Sequence, residues 1–271
     1  MKAGTSSVFD DLSTVKPFSP VEKESCGLLD GVVREFQAPN VQLDACASYS
    51  IAHFRENAIR TLGKSSERTC VIFVVRDPLV RLESHMRHLE SIGRLPAYNG
   101  YNLRSLIDLE PALIQASHYA SILSDWEGSV GSDQLFVFDL EDYRRDRDSV
   151  VRQVVEIVSP ASIDVLHGGE AQWSNSSDQA LRISQPLLRK FLASRPYRRM
   201  VRGMIPADIR AKLLSSLGRR SGDVVQLSKD DERAVFQLLA TEVAAFGQRH
   251  PRIVEGWTRW KRVATEHSEY L

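Results

Sequence analysis

Apolar residues fall along this chain in two rhythms, short continuous runs and helical stripes. The run TCVIFVV (69–75) is the strongest of the first kind. Its β-branched and aromatic side chains, without a polar break, predict a strand buried on both faces of a parallel sheet. QLFVFDL (134–140) predicts a second strand, and VQLDA (41–45) a shorter one that ends in a carboxylate. Elsewhere the spacing turns helical. Thr5–Leu12 sets Val8, Phe9 and Leu12 on one face, and residues 50–63 form a helix closed by Gly63. RDPLVRLESHMRHLESIG places Pro78 in a first turn, where a missing N–H costs nothing. Further stripes cover 112–129, 150–158 and 234–250, and the acidic EDYRRDRDS between two of these elements reads as a turn. Strands alternating with helices predict an α/β fold with a central parallel sheet, right-handed crossovers and a helical C-terminal part. The chain reads as one domain over residues 1–271, without internal repeats or a low-complexity tract.

Composition narrows the classes. Lys and Arg number 35 and Asp and Glu number 35, so the formal net charge is zero. A nucleic-acid binder would carry a basic excess, and that class is set aside. No apolar run approaches the ~18 residues of a membrane span, and no leader pattern opens the chain. Cys26, Cys46 and Cys70 include no C-x-x-C pair and are odd in number. They are expected to be reduced thiols of a cytoplasmic protein, with neither a disulfide framework nor a zinc site.

Candidate chemistry concentrates at two phosphate signals. MKAGTSS opens the chain ahead of a helix: Gly4 permits close backbone approach to an anion, and the amides up to Ser7 face it from the positive end of the helix. Lys2 adds a full charge, and Thr5, Ser6 and Ser7 add hydroxyls. The stretch lacks the second glycine and the lysine position of the nucleoside-triphosphate loop, so taken alone it also reads as an ordinary capped helix. The second signal is VIFVVRDPLVRLESH. Arg76 stands just past the carboxyl end of the strongest strand, where ligands of open parallel sheets sit, and Ser84 follows two helical turns later.

Together, Lys-x-Gly-Thr-Ser-Ser before a helix and Arg-Asp-Pro-x-x-Arg-x-x-Ser-His after a buried strand resemble the sulfotransferases that use 3′-phosphoadenosine-5′-phosphosulfate (PAPS). The resemblance implies a P-loop-like three-layer fold with a central parallel sheet flanked by helices. It implies that Lys2, Gly4, Thr5, Ser6 and Ser7 hold the 5′-phosphosulfate and that Arg76 and Ser84 hold the 3′-phosphate. LDACASYS (Asp44, Ala45, Tyr49), the stretch 117–143 with His118, Trp126 and Glu141-Asp142, and WSNSS are similar to segments of the carbohydrate branch of that family. That branch implies a hydroxyl of a carbohydrate or related small molecule as acceptor. The motifs cover about residues 1–180.

Sulfuryl transfer needs a cation at the leaving oxygens and a base at the acceptor hydroxyl. The resemblance gives the first role to Lys2 and the second to Glu24, in the SPVEKESCG stretch, with Glu22 as its neighbouring rival. No metal is demanded. His85 and His88 are read as helix-surface residues and His118 as a core histidine. The arginines of RPYRRMVRG and Arg219-Arg220 are equally well a solvated helix face or an anion contact. Two other classes stand beside the active sulfotransferase: a non-catalytic PAP-binding relative and a P-loop kinase-like phosphotransferase. The resemblance also raises an expectation about the start: the family carries a central strand ahead of the phosphate loop, and here that strand is missing before Met1. Acceptor identity and oligomeric state are not fixed by the sequence.

Overall fold

The computed structural model describes residues 5–15, 18–20, 26–30, 41–64, 68–92, 94–96, 98, 102–158, 181–183, 218–220 and 225–267. Its elements run α1 (Thr5–Leu12), β1 (Phe18–Pro20), β2 (Val41–Leu43), α2 (Ala52–Leu62), β3 (Val71–Val75), α3 (Pro78–Ser91), α4 (Leu103–Leu109), α5 (Ala112–Gln115) and α6 (Tyr119–Val130). They continue with β4 (Leu135–Asp139), α7 (Leu140–Arg145), α8 (Arg147–Val158), β5 (Leu181–Ile183), β6 (Gly218–Arg220), α9 (Lys229–Arg249), α10 (Pro251–Gly256) and α11 (Thr258–Glu266). Short 3₁₀ turns at Gly27–Asp30 and Ala47–Ser50 flank β2.

The predicted parallel strands are present. β3 and β4 pair in parallel from Val71↔Leu135 to Val75↔Asp139, and β1 pairs with β2 from Phe18↔Val41 to Pro20↔Leu43. The expected central sheet is nevertheless divided: among the described residues the strands form two separate parallel pairs, with a third, antiparallel pair of β5 and β6. β5 and β6 also place strand in a region read as helical. The division shows in β3. It was expected to be buried on both faces, yet Val71, Ile72 and Phe73 are only half-buried, while Val74 and Val75 are buried. A cavity of about 500 Å³ lies beside them.

Three apolar clusters hold these elements. Val8 and Leu12 of α1 join Val74 of β3 and Val151, Val154 and Val155 of α8 on one side of the strands. Ala58, Ile122 and Trp126 form a smaller cluster on the other side. The largest cluster gathers Leu79, Leu82, Met86 and Leu89 of α3 against Phe236, Val243 and Phe246 of α9 and Trp257 and Trp260. At roughly 1.5–3 kcal/mol for each fully buried large apolar side chain, this last cluster binds the C-terminal helices to the strand core.

Several helices start where a polar side chain closes the first turn. Asp77 Oδ1 accepts from the amides of Leu79 at 2.9 Å and Val80 at 3.5 Å, with Pro78 in the first turn as predicted. Asp139 caps α7, which makes a helix of the acidic stretch read as a turn. Ser228 caps α9, whose first turn carries Asp230, Asp231 and Glu232 against the helix dipole. The single helix predicted over 112–129 is two, α5 and α6, separated at residues 116–118. The break leaves the Ser117 hydroxyl free to accept from Arg81 Nε at 2.5 Å.

Candidate functional site

α1 carries Thr5, Ser6 and Ser7 in its first turn, with Ser7 buried. Its axis is fixed by chemistry at the other end. The buried Asp11 carboxylate accepts from the Tyr143 hydroxyl and from the Arg147 guanidinium, so α1 is tied to α7 and α8 by a charged pair that leaves neither group unsatisfied. Lys2, Gly4 and Glu24 lie outside the described residues, as do Glu22, Trp173 and the arginines of 195–203.

Arg76 sits where the sequence put it, immediately after β3, and the residue is buried, 8% exposed. The Tyr119 hydroxyl donates to the Arg76 carbonyl at 2.7 Å and holds the backbone there. Arg76 does not pair with Asp77. Its charged neighbours are Arg144, Glu141 and Arg87, with Glu141 Oε1 3.5 Å from Arg76 Nε. That separation is too long for a hydrogen bond, and the buried Nε has no hydrogen-bond partner. Burial first, then the Arg144 charge, pull the Arg76 pKa down. Three guanidinium groups and one carboxylate leave this corner with a net positive charge and an unsatisfied donor. An anion with several acceptor oxygens answers both.

Ser84 stands on α3 and is buried. One turn earlier, Arg81 is buried too and donates to Ser117 Oγ and to the Leu113 carbonyl, so it serves to join α3 to α5. His85, expected on the helix surface, is buried beside Arg81, and desolvation drives its pKa far down. His118 begins α6 half-buried, with its pKa lowered by burial. Trp126 is a core residue that meets Tyr49 edge-on. Arg219 and Arg220, read with a helix face, belong to β6.

Asp44 and Tyr49, singled out in LDACASYS, meet directly: the Tyr49 hydroxyl donates to Asp44 Oδ2 at 2.5 Å and accepts from the Leu28 amide at 3.2 Å. Asp44 Oδ1 is buried without a hydrogen-bond partner. The cysteine reading is corrected here. Cys26 and Cys46 form a disulfide with Cα atoms 5.0 Å apart, and only Cys70 is free. Spacing along the chain gave no hint of it, because the two 3₁₀ turns on either side of β2 bring the cysteines together.

The residues that sequence reasoning missed are those around Arg76 and behind it. Arg144 lies on α7, which the acidic turn reading hid, and Glu141, singled out only for its resemblance to the carbohydrate branch, lies there too, beside Arg76. Asp139 Oδ2 accepts from the Trp257 indole at 3.0 Å, and its Oδ1 from the Glu141 amide at 3.1 Å. Burial raises the Asp139 pKa to about 6. The signal available was a strand ending in Asp-Leu-Glu-Asp, a capping pattern.

No family model matches the sequence, and no curated protein matches it. Seven chains of solved structures match the fold. One is the crystal structure of a sulfotransferase from Alicyclobacillus acidocaldarius, with a TM-score of 0.50 over 70% of this chain and 85% of that one, at 18% identity. The chain shares the fold of a sulfotransferase. The shared fold agrees with the parallel α/β arrangement and gives no test of the branch, the nucleotide or the acceptor. Within a sulfotransferase fold, the positive corner at the carboxyl end of β3 and the first turn of α1 lie on elements that pack together through Val8, Leu12 and Val74. No group of three or more His, Cys, Asp or Glu suited to a metal occurs among the described residues.

Proposed function

We propose that this chain is a sulfotransferase of the PAPS-dependent kind, transferring a sulfuryl group to a hydroxyl of a carbohydrate or a related small molecule. The observation that carries the proposal is the buried, unpartnered Nε of Arg76 in an arginine-rich corner at the carboxyl end of β3. A 3′-phosphate supplies an acceptor oxygen to this donor, and Ser84 adds a hydroxyl from α3. At the other end of the nucleotide, the amides of Thr5 to Ser7 and the Lys2 ammonium take the phosphosulfate. The acceptor oxygen forms a new bond to sulfur as the bond from sulfur to the bridging phosphate oxygen breaks. The acceptor proton passes to Glu24, and Lys2 balances the charge left on the phosphate.

Calorimetric titration of the 271-residue chain with PAP, with ADP as the control, tests the reading. Binding of PAP in preference to ADP, weakened in Arg76→Ala, supports it. Equal affinity for ADP turns the reading toward a phosphotransferase, and binding without turnover on any hydroxyl acceptor toward a non-catalytic relative.

A further inference from the structure

Glu141 stands beside Arg76 in a geometry that a structural ion pair would not keep. Its Oε1 stops 3.5 Å from Arg76 Nε, whereas a charge-assisted hydrogen bond between such groups closes to about 2.7–2.9 Å. The Nε donor is left without a partner although an anionic oxygen is that close. Two contacts hold the carboxylate off. Asp139 Oδ1 accepts from the Glu141 amide at 3.1 Å and fixes the backbone in the first turn of α7. The same Glu141 Oε1 accepts from Arg144 Nη1 at 2.8 Å, so it is shared between two guanidinium groups and lies nearer the outer one.

The two partners also differ in freedom. Arg76 is buried, with its carbonyl held by the Tyr119 hydroxyl. The Glu141 side chain is half-exposed, and so nearly is that of Arg144. Pairs of this kind, three residues apart on an exposed helix face, are weakly held. Glu141 can therefore turn out into water at little cost, while Arg76 has no such retreat. A buried guanidinium with no counter-charge carries a heavy desolvation penalty, and a carboxylate bonded tightly to it would shut ligands out. A half-bonded, half-exposed carboxylate avoids both.

We infer that Glu141 is a displaceable counter-ion: it balances Arg76 while the corner is empty, gives way to a phosphate-type anion that satisfies Nε, and thereby sets how tightly that anion is held. The inference rests on the anion corner of the reading above and not on the sulfuryl chemistry. It fixes a sign. A carboxylate a few ångströms from an incoming phosphate repels it, and at the effective dielectric of a protein surface that repulsion is worth on the order of tenfold in affinity. Taking the charge away must tighten binding. Were Glu141 there to position Arg76, taking it away would loosen binding.

The experiment is titration calorimetry of the full chain and its Glu141→Gln variant, with PAP and, separately, with inorganic phosphate as the probe of the corner alone. Asp142→Asn is the control: it removes the same charge one residue along α7, from a carboxylate paired with Arg145 instead. Affinity for at least one probe rises roughly 3- to 30-fold in Glu141→Gln and changes less than twofold in Asp142→Asn. Unchanged or weaker binding of both probes in Glu141→Gln overturns the inference and makes the residue a positioning group for Arg76. An equal gain in Asp142→Asn overturns it too, since the effect is then one of overall charge. A gain for phosphate with no PAP binding by either protein removes the PAPS reading and leaves the counter-ion standing, whereas a corner that binds neither probe removes both. Should Glu141→Gln not purify folded, Glu141→Asp keeps the charge but withdraws it by one methylene, and a smaller gain of the same sign is expected.

Discussion

The backbone amide of Trp260 donates to Asp77 Oδ2 at 2.9 Å across 183 residues of chain. The other oxygen of the same carboxylate caps α3. One buried side chain thus starts the helix behind Arg76 and anchors the C-terminal helix α11 to it. Its desolvation raises the Asp77 pKa, and the three backbone amides work against that rise. Asp77→Ala removes a cap and leaves the Trp260 amide buried and unpaired, so stability falls by about 2–4 kcal/mol in urea unfolding. Asp77→Asn keeps an acceptor and loses less than half as much. Equal losses in the two variants would locate the effect in packing instead.

Removing the guanidinium at position 76 tests the anion corner. Arg76→Ala weakens PAP binding by roughly 10- to 150-fold, the equivalent of about 1.5–3 kcal/mol for charge-assisted hydrogen bonds. Arg76→Lys recovers the charge but not the fork, and restores only part of the affinity. Titration calorimetry at two salt concentrations reads both effects. ADP affinity that falls in parallel would mean that Arg76 does not read the 3′-phosphate.

Glu24 is the proposed base, and its substitution separates chemistry from binding. Glu24→Gln lowers kcat by about 10²–10⁴-fold, the usual scale for losing a general base, and leaves PAP affinity unchanged. Glu22→Gln has little effect. Labelled-sulfate transfer to a panel of hydroxyl acceptors measures it, and the reverse ranking of the two variants would move the base to Glu22.

Asp139 gives stability a pH dependence of defined sign. Its pKa rises on folding from 3.8 to about 6, so the folded state holds this proton more tightly than the unfolded chain does. The contribution is complete below pH 3.8 and is lost as pH climbs through about 6. Relative to Asp139→Asn, the wild-type protein therefore loses stability between pH 4 and 6. Urea midpoints of both proteins across that window measure the gap, and a constant gap would refute the shift.

The disulfide closes a loop between positions 26 and 46. Thiol titration of the denatured, unreduced protein finds one reactive cysteine, Cys70. Cys46→Ser lowers stability by about 2–4 kcal/mol on the chain-entropy account. Three reactive thiols before reduction would show the pair to be open.

Much of the strand core was legible. TCVIFVV and QLFVFDL announce themselves as short β-branched and aromatic runs, and the register from Val71↔Leu135 joins them along their length, although most of their residues are only half-buried. Arg76 was legible too, since a charged residue ending such a run has nowhere to go but the sheet's carboxyl end. Its surroundings were not. Glu141 and Arg144 reach it from a helix whose acidic, basic sequence looks like a turn, and only the Asp139 cap makes it helical. The clasp of the C-terminal helices was hidden for another reason. Glu83 accepts from the Leu227 amide and Arg259, both at 2.7 Å, and Glu232 from Arg259 and Arg262, both at 2.6 Å. Pairing of this kind is decided by tertiary distance and leaves no periodic trace. The disulfide escaped on the same ground.

That disulfide has a companion. Cys26 is linked covalently to Cys46, and two residues later the Leu28 amide is held by the Tyr49 hydroxyl, which itself rests on Asp44. A segment fastened at one point can pivot, but one fastened twice to the same neighbour must follow that neighbour's rotation. Cys26 and Leu28 thus take their heading from the turn that carries Asp44, Cys46 and Tyr49, all three on the wall of the 500 Å³ cavity. Any rotation of the 44–49 turn therefore carries Cys26 and Leu28 with it as one body.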